Sequence, residues 1–125
     1  MQSNAEKKGL KVNTIKTSYE DFNYGKNNWD LITMILSWAP VEETGFLARL
    51  KESLRPGGYV VFEHVLQRPG NPFPPGVHAL APGALHELFS DFEILIYREV
   101  EDYGDWGGPP TPHVRMVARK PQIKQ

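Results

Sequence analysis

Glu63 and His64 are the residues in this sequence best suited to acid–base chemistry. They directly follow the apolar run Tyr-Val-Val-Phe at 59–62, which is typical of a buried strand. Because an imidazole titrates near neutral pH, His64 could take a proton from a hydroxyl or an amine, and the neighbouring carboxylate could assist. The alternative is a loop histidine that only hydrogen-bonds to the backbone.

The other histidines do not form a metal-binding pattern. His78, His86 and His113 are scattered along the chain, and their spacing predicts no metal site. The sequence contains no cysteine, which excludes disulfides, thiolate nucleophiles and thiolate metal sites. A chain without cysteine also fits a cytoplasmic protein.

Size and charge bound the class of protein. A chain of 125 residues is most simply a single domain, 1–125, and 40% hydrophobic with 23% charged residues is ordinary globular usage. The formal net charge of −1 gives no electrostatic reason to expect nucleic acid or an anionic membrane as a partner. No apolar run is long enough for a transmembrane helix, and the first residues lack the apolar core of a signal peptide.

The elements that must position Glu63 and His64 follow from the hydrophobic pattern. Continuous or alternating apolar runs predict strands, whereas one-sided apolar stripes predict helices. The predicted strands are 11–18, 29–36, 59–62, 92–100 and 113–119, and the predicted helices are the end of one at 3–9, one at 42–54 and one that begins near Pro82.

The connections between these elements predict how the strands pair. Strands 29–36 and 59–62 are joined by a helix, so a right-handed crossover should make them parallel. Pro56-Gly57-Gly58 is predicted to stop that helix and turn the chain into strand 59–62. The last two strands are joined by an irregular loop, which suits an antiparallel pair at a sheet edge. In an open α/β sheet, ligands bind outside the carboxyl ends of the strands.

The ordered set of these elements resembles the class I S-adenosylmethionine-dependent methyltransferases. Trp-Asp-Leu-Ile at 29–32 is similar to the start of the family's fourth strand, and Leu-Arg-Pro-Gly-Gly-Tyr-Val-Val at 54–61 is similar to the turn into its fifth strand. The resemblance implies a partial Rossmann-like methyltransferase fold: a mostly parallel sheet with an antiparallel C-terminal strand pair and helices on the sheet faces. It covers only the later portion of the domain, because the family's Gly-x-Gly-x-Gly cofactor loop is missing.

The resemblance also implies which residues bind the cofactor, S-adenosylmethionine. The family's adenine contacts follow its third strand, which corresponds here to Ser18, Tyr19 and Glu20. The alternative for this segment is a solvated polar loop. Leu36 and Ser37 occupy the place that lines the cofactor's sulfur in the family.

Three aromatic residues are the expected acceptor contacts. Trp38 follows strand 29–36, and it could instead simply pack between strand and helix. Phe73 and Trp106 lie in two long loops that would sit above the sheet edge in the family fold. Asp30 could place a charge near the cofactor, but we expect it to be a residue at the start of its strand that pairs with a loop or a basic group.

These expectations lead to two functions. The first is an S-adenosylmethionine-dependent methyltransferase, or its C-terminal portion, that acts on a small-molecule acceptor and is inactive as this chain alone. The second is a non-catalytic, methyltransferase-derived scaffold or interaction module. Expected partners are a second copy of the chain or a chain that supplies the missing N-terminal elements. We expect residues 11–18 to pair beside 29–36, with exchange between two subunits as the alternative.

Overall fold

Four strands and two helices are the regular elements of the part of the chain that the structure describes. The computed structural model of the protein describes residues 7–67, 79–102 and 110–122. In chain order, the elements are β1 (Trp29–Ile35), α1 (Thr44–Ser53), β2 (Leu54–Val65), α2 (Ala84–Leu88), β3 (Glu93–Asp102) and β4 (Thr111–Arg119). In the described ranges, no helix is both long and apolar enough to cross a membrane.

The strands form one mixed sheet in the order β1-β2-β4-β3. β1 and β2 are parallel, as the helical crossover between them requires. β4 runs antiparallel to both of its neighbours, so β3 and β4 form the expected antiparallel closing pair. The predicted α/β fold class is therefore confirmed, and the sheet places the carboxyl ends of β1 and β2 at the same edge.

The hydrophobic core lies on one face of this sheet, which we call the helix face because both described helices pack on it. α1 contributes Phe46 and Leu50, and α2 contributes Leu85, all of them at most 2% exposed. Alternate side chains of a strand point to opposite faces. The buried strand residues of this core are Met34, Leu54, Val60, Phe62, Val114, Met116 and Ala118. Ile32, Ile94 and Tyr97 are partly buried and pack against it.

The other side of the sheet, which we call the open face, carries the residues of opposite parity. Leu31 and Ile35 of β1 are 54% and 57% exposed there. Neither described helix packs on this face. Val65 and His113 share this parity but are buried. The other residues of the open face include Thr33, Tyr59, Val61, Glu63, Ile96, Arg98, Arg115, Val117 and Arg119.

Two lysines hold α1 to the rest of the fold. Lys120 donates hydrogen bonds to the carbonyls of Lys51 and Leu54, at 2.7 and 2.8 Å, and so satisfies acceptors at the end of the helix. Lys51 donates to the Leu88 carbonyl and to Asp91, at 2.6 and 2.7 Å. These contacts hold the C-terminal end of α1 to the beginning of β2 and to the end of α2.

The prediction that Pro56-Gly57-Gly58 forms a turn before the strand is wrong. β2 begins at Leu54, and the three residues lie within it as a bulge: Trp29 pairs with Leu54, but Leu31 pairs with Tyr59. Gly57 has a φ of 83°, and a Cβ on Gly58 would lie 2.9 Å from the Arg55 carbonyl oxygen. Glycine therefore allows the strand to bulge without losing its neighbour.

The prediction of a strand at residues 11–18 is also wrong. This segment forms no strand and no pairing with β1, and all of it except Val12 is exposed. The expected place beside β1 is therefore not taken by this segment. Its β-branched residues gave the strand pattern, but such a pattern does not by itself produce a strand, because β-propensity depends on the tertiary context. Gly9, predicted to follow a helix end, has the left-handed φ of 71°.

Candidate functional site

The carboxyl ends of β1 and β2 meet at one edge of the sheet, as the parallel pairing predicts. Ile35 is in register with Glu63, and the next backbone N–H, of Leu36, donates to the Glu63 carbonyl at 2.8 Å. Leu36 and Trp38 then have φ values of 50° and 60°. Residues other than glycine rarely adopt such values, and strained backbone of this kind is concentrated at functional sites.

A cleft of about 220 Å³ opens at this edge. Its inner wall consists of Phe62, His64, Val41 and Leu80, all of them buried. The outer wall is formed by the segment that leaves β1 and enters α1. These outer residues are Trp38, Ala39, Pro40, Glu42 and Glu43.

His64 and Trp38 form the aromatic part of the cleft. The His64 side chain is 5% exposed, and the Trp38 indole meets it edge to face with ring centroids 4.9 Å apart. Trp38 itself is 53% exposed, so it does not merely pack between strand and helix. The Phe62 ring is tilted relative to His64, with a centroid distance of 6.2 Å. The imidazole is therefore in contact with the Trp38 ring and near the Phe62 ring at the inner wall of the cleft.

The structure separates the two residues that were predicted to share acid–base chemistry. His64 lies on the helix face and lines the cleft, whereas Glu63 lies on the open face. There, Arg115 donates from Nε to Glu63 at 2.6 Å and from a terminal nitrogen to Asp102 at 2.8 Å. The hydrogen bonds to Asp102 and Glu63 raise the pKa of Arg115 above its ordinary value, so the guanidinium is a permanent cation.

Two of the segments predicted to bind the cofactor do meet in the structure. The Tyr19 hydroxyl donates a hydrogen bond to the carbonyl of Ser37, 18 residues further along the chain. Tyr19 also packs edge-on against Phe46 of α1, with centroids 5.7 Å apart. The Ser18 hydroxyl accepts from the Asp21 backbone N–H at 3.0 Å and stabilises the turn that presents Tyr19.

An open groove of about 690 Å³ lies beside this contact. The hydroxyl groups of Thr17 and Ser18 line this groove. Four aromatic rings also line it, those of Tyr19, Phe22, Tyr24 and Trp29. The volume falls within the range of about 300 to 1,000 Å³ that small-molecule sites occupy. A purine base could stack on these rings.

The fit of this groove to the cofactor implied by the resemblance is partial. The rings and hydroxyls suit the adenosine part of S-adenosylmethionine. The described lining contains no carboxylate for the positively charged amino group of the methionine part. The chain also contains no Gly-x-Gly-x-Gly segment to approach that part closely. The residues present therefore match one half of the cofactor.

The remaining predicted residues have separate outcomes. Phe73 and Trp106 lie outside the described residues. Glu20 is exposed and does not line the groove in the described ranges. Asp30 pairs with Arg55 at 2.8 Å, so the expectation that it meets a basic group is confirmed. Across residues 7–67, 79–102 and 110–122, no group of three or more histidine or acidic residues could hold a metal ion.

Two parts of the site were missed in the sequence. Glu42 and Glu43 fall at the start of the predicted helix 42–54, but the helix begins at Thr44 and both residues line the cleft together with Phe62 and His64. Arg115 was not singled out, but alternation in strand 113–119 puts it on the face opposite Val114 and Met116. Its register with Glu63 could not be read from either strand alone.

No protein-family model and no curated protein sequence matches the chain. Solved structures do match it over most of its length. TehB from Haemophilus influenzae superposes with a TM-score of 0.77 at 22% identity, over 94% of this chain and 44% of that one. The [4+2]-cyclase SpnF gives 0.72 at 18% identity, over 97% and 61% of the two chains.

A third solved structure includes ligands. It is the 1,6-didemethyltoxoflavin-N1-methyltransferase of Burkholderia thailandensis with 1,6-didemethyltoxoflavin and S-adenosylhomocysteine bound. It superposes with a TM-score of 0.65 at 18% identity, over 96% of this chain and 56% of that one. The fold is therefore that of part of a Rossmann-like class I methyltransferase domain. The chain spans 44%, 61% and 56% of these three proteins.

Proposed function

We propose that the chain is the later portion of an S-adenosylmethionine-dependent methyltransferase domain that acts on a small molecule in the cytoplasm. The observation that carries the proposal is the contact between Tyr19 and Ser37, because it joins the two segments assigned to the cofactor at the carboxyl end of β1. The cleft next to this contact supports a site for the acceptor. The chain contains no cysteine and therefore depends on no disulfide, which is compatible with a reducing compartment.

Each residue of the site has a defined role in this proposal. When bound, S-adenosylmethionine supplies the methyl group. Tyr19 and Ser18 hold the adenosine part, and Trp38 forms a wall against which the acceptor is oriented. His64 takes the proton that the acceptor releases, since it is the one titratable group on the inner wall of the described cleft. Orientation supplies most of the rate, as is typical of transfers that need little covalent help.

Glu63 has a positioning role in this proposal. Its carboxylate binds Arg115 on the open face, and its carbonyl accepts the hydrogen bond from the Leu36 N–H. The first contact holds the end of β2 to β4, and the second holds it against the beginning of the loop that carries Ser37 and Trp38. The proposal also includes inactivity of this chain alone, because the described residues match only the adenosine half of the cofactor.

Calorimetric titration of the chain with adenosine, S-adenosylhomocysteine and S-adenosylmethionine tests this proposal. We expect all three ligands to bind weakly and with similar affinity, because they share the adenosine part. Tyr19→Phe removes the hydroxyl that holds Ser37, so it should weaken binding of all three by about threefold to tenfold, the value of one hydrogen bond. The matched control is Tyr59→Phe on the open face, which should leave each affinity unchanged.

Two results would contradict this proposal in different ways. A folded chain that binds none of the three ligands would remove the cofactor site. Methyl transfer to any small acceptor by the chain alone would disprove inactivity, and S-adenosylhomocysteine binding far tighter than adenosine would show that the methionine part has contacts as well. The mass in solution, measured alongside, shows whether such contacts come from a second copy.

A second candidate function is a non-catalytic scaffold, and the edge of β1 favours it. β1 has no described neighbour on the side away from β2, and Leu31 and Ile35 are more than half exposed beside that free edge. An unpaired strand edge readily accepts another strand. The occupant would be a second copy or a chain with the missing N-terminal elements.

Sedimentation analysis of the chain and of Thr33→Pro distinguishes the two candidates. Proline removes the N–H of residue 33 and so disfavours pairing with a further strand. A dimer that this substitution dissociates, combined with no binding of adenosine ligands, would favour the scaffold. A monomer that binds adenosine ligands would exclude the dimeric scaffold.

A further inference from the structure

We infer that the cleft between Trp38 and His64 binds a small ring compound that carries a positively charged nitrogen, and that it rejects carboxylates and phosphates. The identification of this ligand as the methyl acceptor rests on the proposed function. The binding of the ligand to the cleft does not depend on that function. The inference depends on the size, the walls and the charge of the cleft.

The size and walls of the cleft select a small ring. Its volume of about 220 Å³ lies below the usual range for drug-sized ligands, so the cleft admits about one ring with a short substituent. Phe62, Val41 and Leu80 give it an apolar inner wall, and all three are at most 4% exposed. An apolar ring gains most of its binding energy from such a wall.

The charge of the outer wall selects a cation. Glu42 and Glu43 both line the cleft, and the described lining contains no lysine or arginine. The exposed indole of Trp38 adds a ring face, which attracts a cation through its quadrupole. A carboxylate or a phosphate in this position would face the Glu43 carboxylate and would meet no lysine or arginine in the described lining.

Three probes of one shape test the inference with the full chain and without cofactor. Phenethylamine, 2-phenylethanol and 3-phenylpropionate share a phenyl ring on a two-carbon chain, and they differ in the charge of the end group. Binding is followed by two-dimensional NMR through the Trp38 indole N–H and the backbone amides of the cleft. We expect the amine to bind about threefold to tenfold tighter than the alcohol, the range of a partly exposed cation–π contact and ion pair. The carboxylate should be the weakest.

Glu43→Gln and Glu93→Gln form a matched pair of variants. Each removes one exposed carboxylate, but Glu43 lines the cleft and Glu93 begins β3 elsewhere in the sheet. Glu43→Gln should lower affinity for the amine by about threefold and leave the alcohol unchanged, whereas Glu93→Gln should change neither. Raising the salt concentration should reduce the preference for the amine, because the carboxylates are exposed.

The inference is overturned by any of three results. These are equal or tighter binding of the carboxylate, chemical shift changes that lie outside the cleft, and no changes at all with any probe. If the amine binds as expected but S-adenosylhomocysteine does not bind, the cleft keeps its ligand class and only the proposed methyl transfer is lost. If S-adenosylhomocysteine binds but the amine does not, the proposed function keeps its cofactor site and the inferred ligand class of the cleft is lost.

Discussion

The two faces of the sheet are built from the same strands but have different surroundings. On the helix face, Met34 and Val60 are at most 5% exposed and pack against α1. On the open face, their chain neighbours Ile35 and Tyr59 are 57% and 38% exposed. β1 and β2 are apolar at both parities, so their composition suits burial on two sides. The structure covers one of these sides with described helices.

The two faces also divide the chemistry. His64 lines the cleft on the helix face, beside aromatic rings, whereas Glu63 pairs with Arg115 on the open face. Two consecutive residues of β2 therefore have different roles: His64 is a candidate proton acceptor, and Glu63 is part of an ion pair. The comparison shows that adjacency in sequence is a poor guide to a shared site in a strand, because consecutive side chains point in opposite directions.

The largest expected difference between the two faces is in the free energy of unfolding, when one leucine is shortened on each side of the sheet. Leu50→Ala removes a side chain that is 2% exposed, and it should lower the free energy of unfolding by about 2 to 5 kcal/mol. Leu31→Ala, at a side chain that is 54% exposed, should change it by less than about 0.5 kcal/mol. Urea denaturation measures both. A loss at Leu31 as large as the loss at Leu50 would mean that the open face is covered in solution.

A smaller effect is expected from the polar network on the helix face. Tyr97 donates to Glu99 at 2.6 Å, and the Gly83 N–H donates to the same oxygen at 2.7 Å. Burial, and then the hydrogen bond to Glu99, raise the pKa of Tyr97 from 10.0 to about 12. A raised pKa means that folding favours the protonated phenol. The stabilisation is therefore complete below pH 10.0 and is lost as the pH rises towards about 12.

Tyr97→Phe tests this contribution. It should cost about 1 kcal/mol at neutral pH, the net value of one hydrogen bond. The difference in unfolding free energy between this variant and the unchanged protein should disappear at alkaline pH. Tyr59→Phe on the open face is the control. A difference that stays constant through the alkaline range would show that the hydrogen bond to Glu99 does not hold the phenol proton.

The smallest effect is expected on the open face. Arg115→Met removes two ion pairs, but the Arg115 side chain is 37% exposed, so solvent screens both. We expect a loss of about 0.5 to 1 kcal/mol at low salt and less at high salt. Arg55→Met, which breaks the more exposed pair with Asp30, should cost less still. A loss at Arg115 that is large and independent of salt would indicate that a further segment buries this cluster.

Much of the local structure could be predicted from the sequence, because it depends on nearby residues. The run at 29–36 predicted β1 to within one residue, and the stripe of Phe46, Leu47 and Leu50 predicted α1. The crossover helix predicted the parallel pairing of β1 and β2. The failures at residues 11–18 and at Pro56-Gly57-Gly58 share one cause, since whether a segment becomes a strand depends on the backbone beside it.

The sequence alone determined the α/β class, the closing antiparallel pair and the position of His64 at the end of a strand, because hydrophobic periodicity and chain connection are local properties. Only the tertiary structure decided which distant side chains meet. It brings Tyr19 into contact with Ser37 and Trp38 into contact with His64. It also places Glu63 on the opposite face of the sheet, where Glu63 pairs with Arg115. These pairings depend on strand register and on which sheet face the helices cover. Neither is encoded in any single segment.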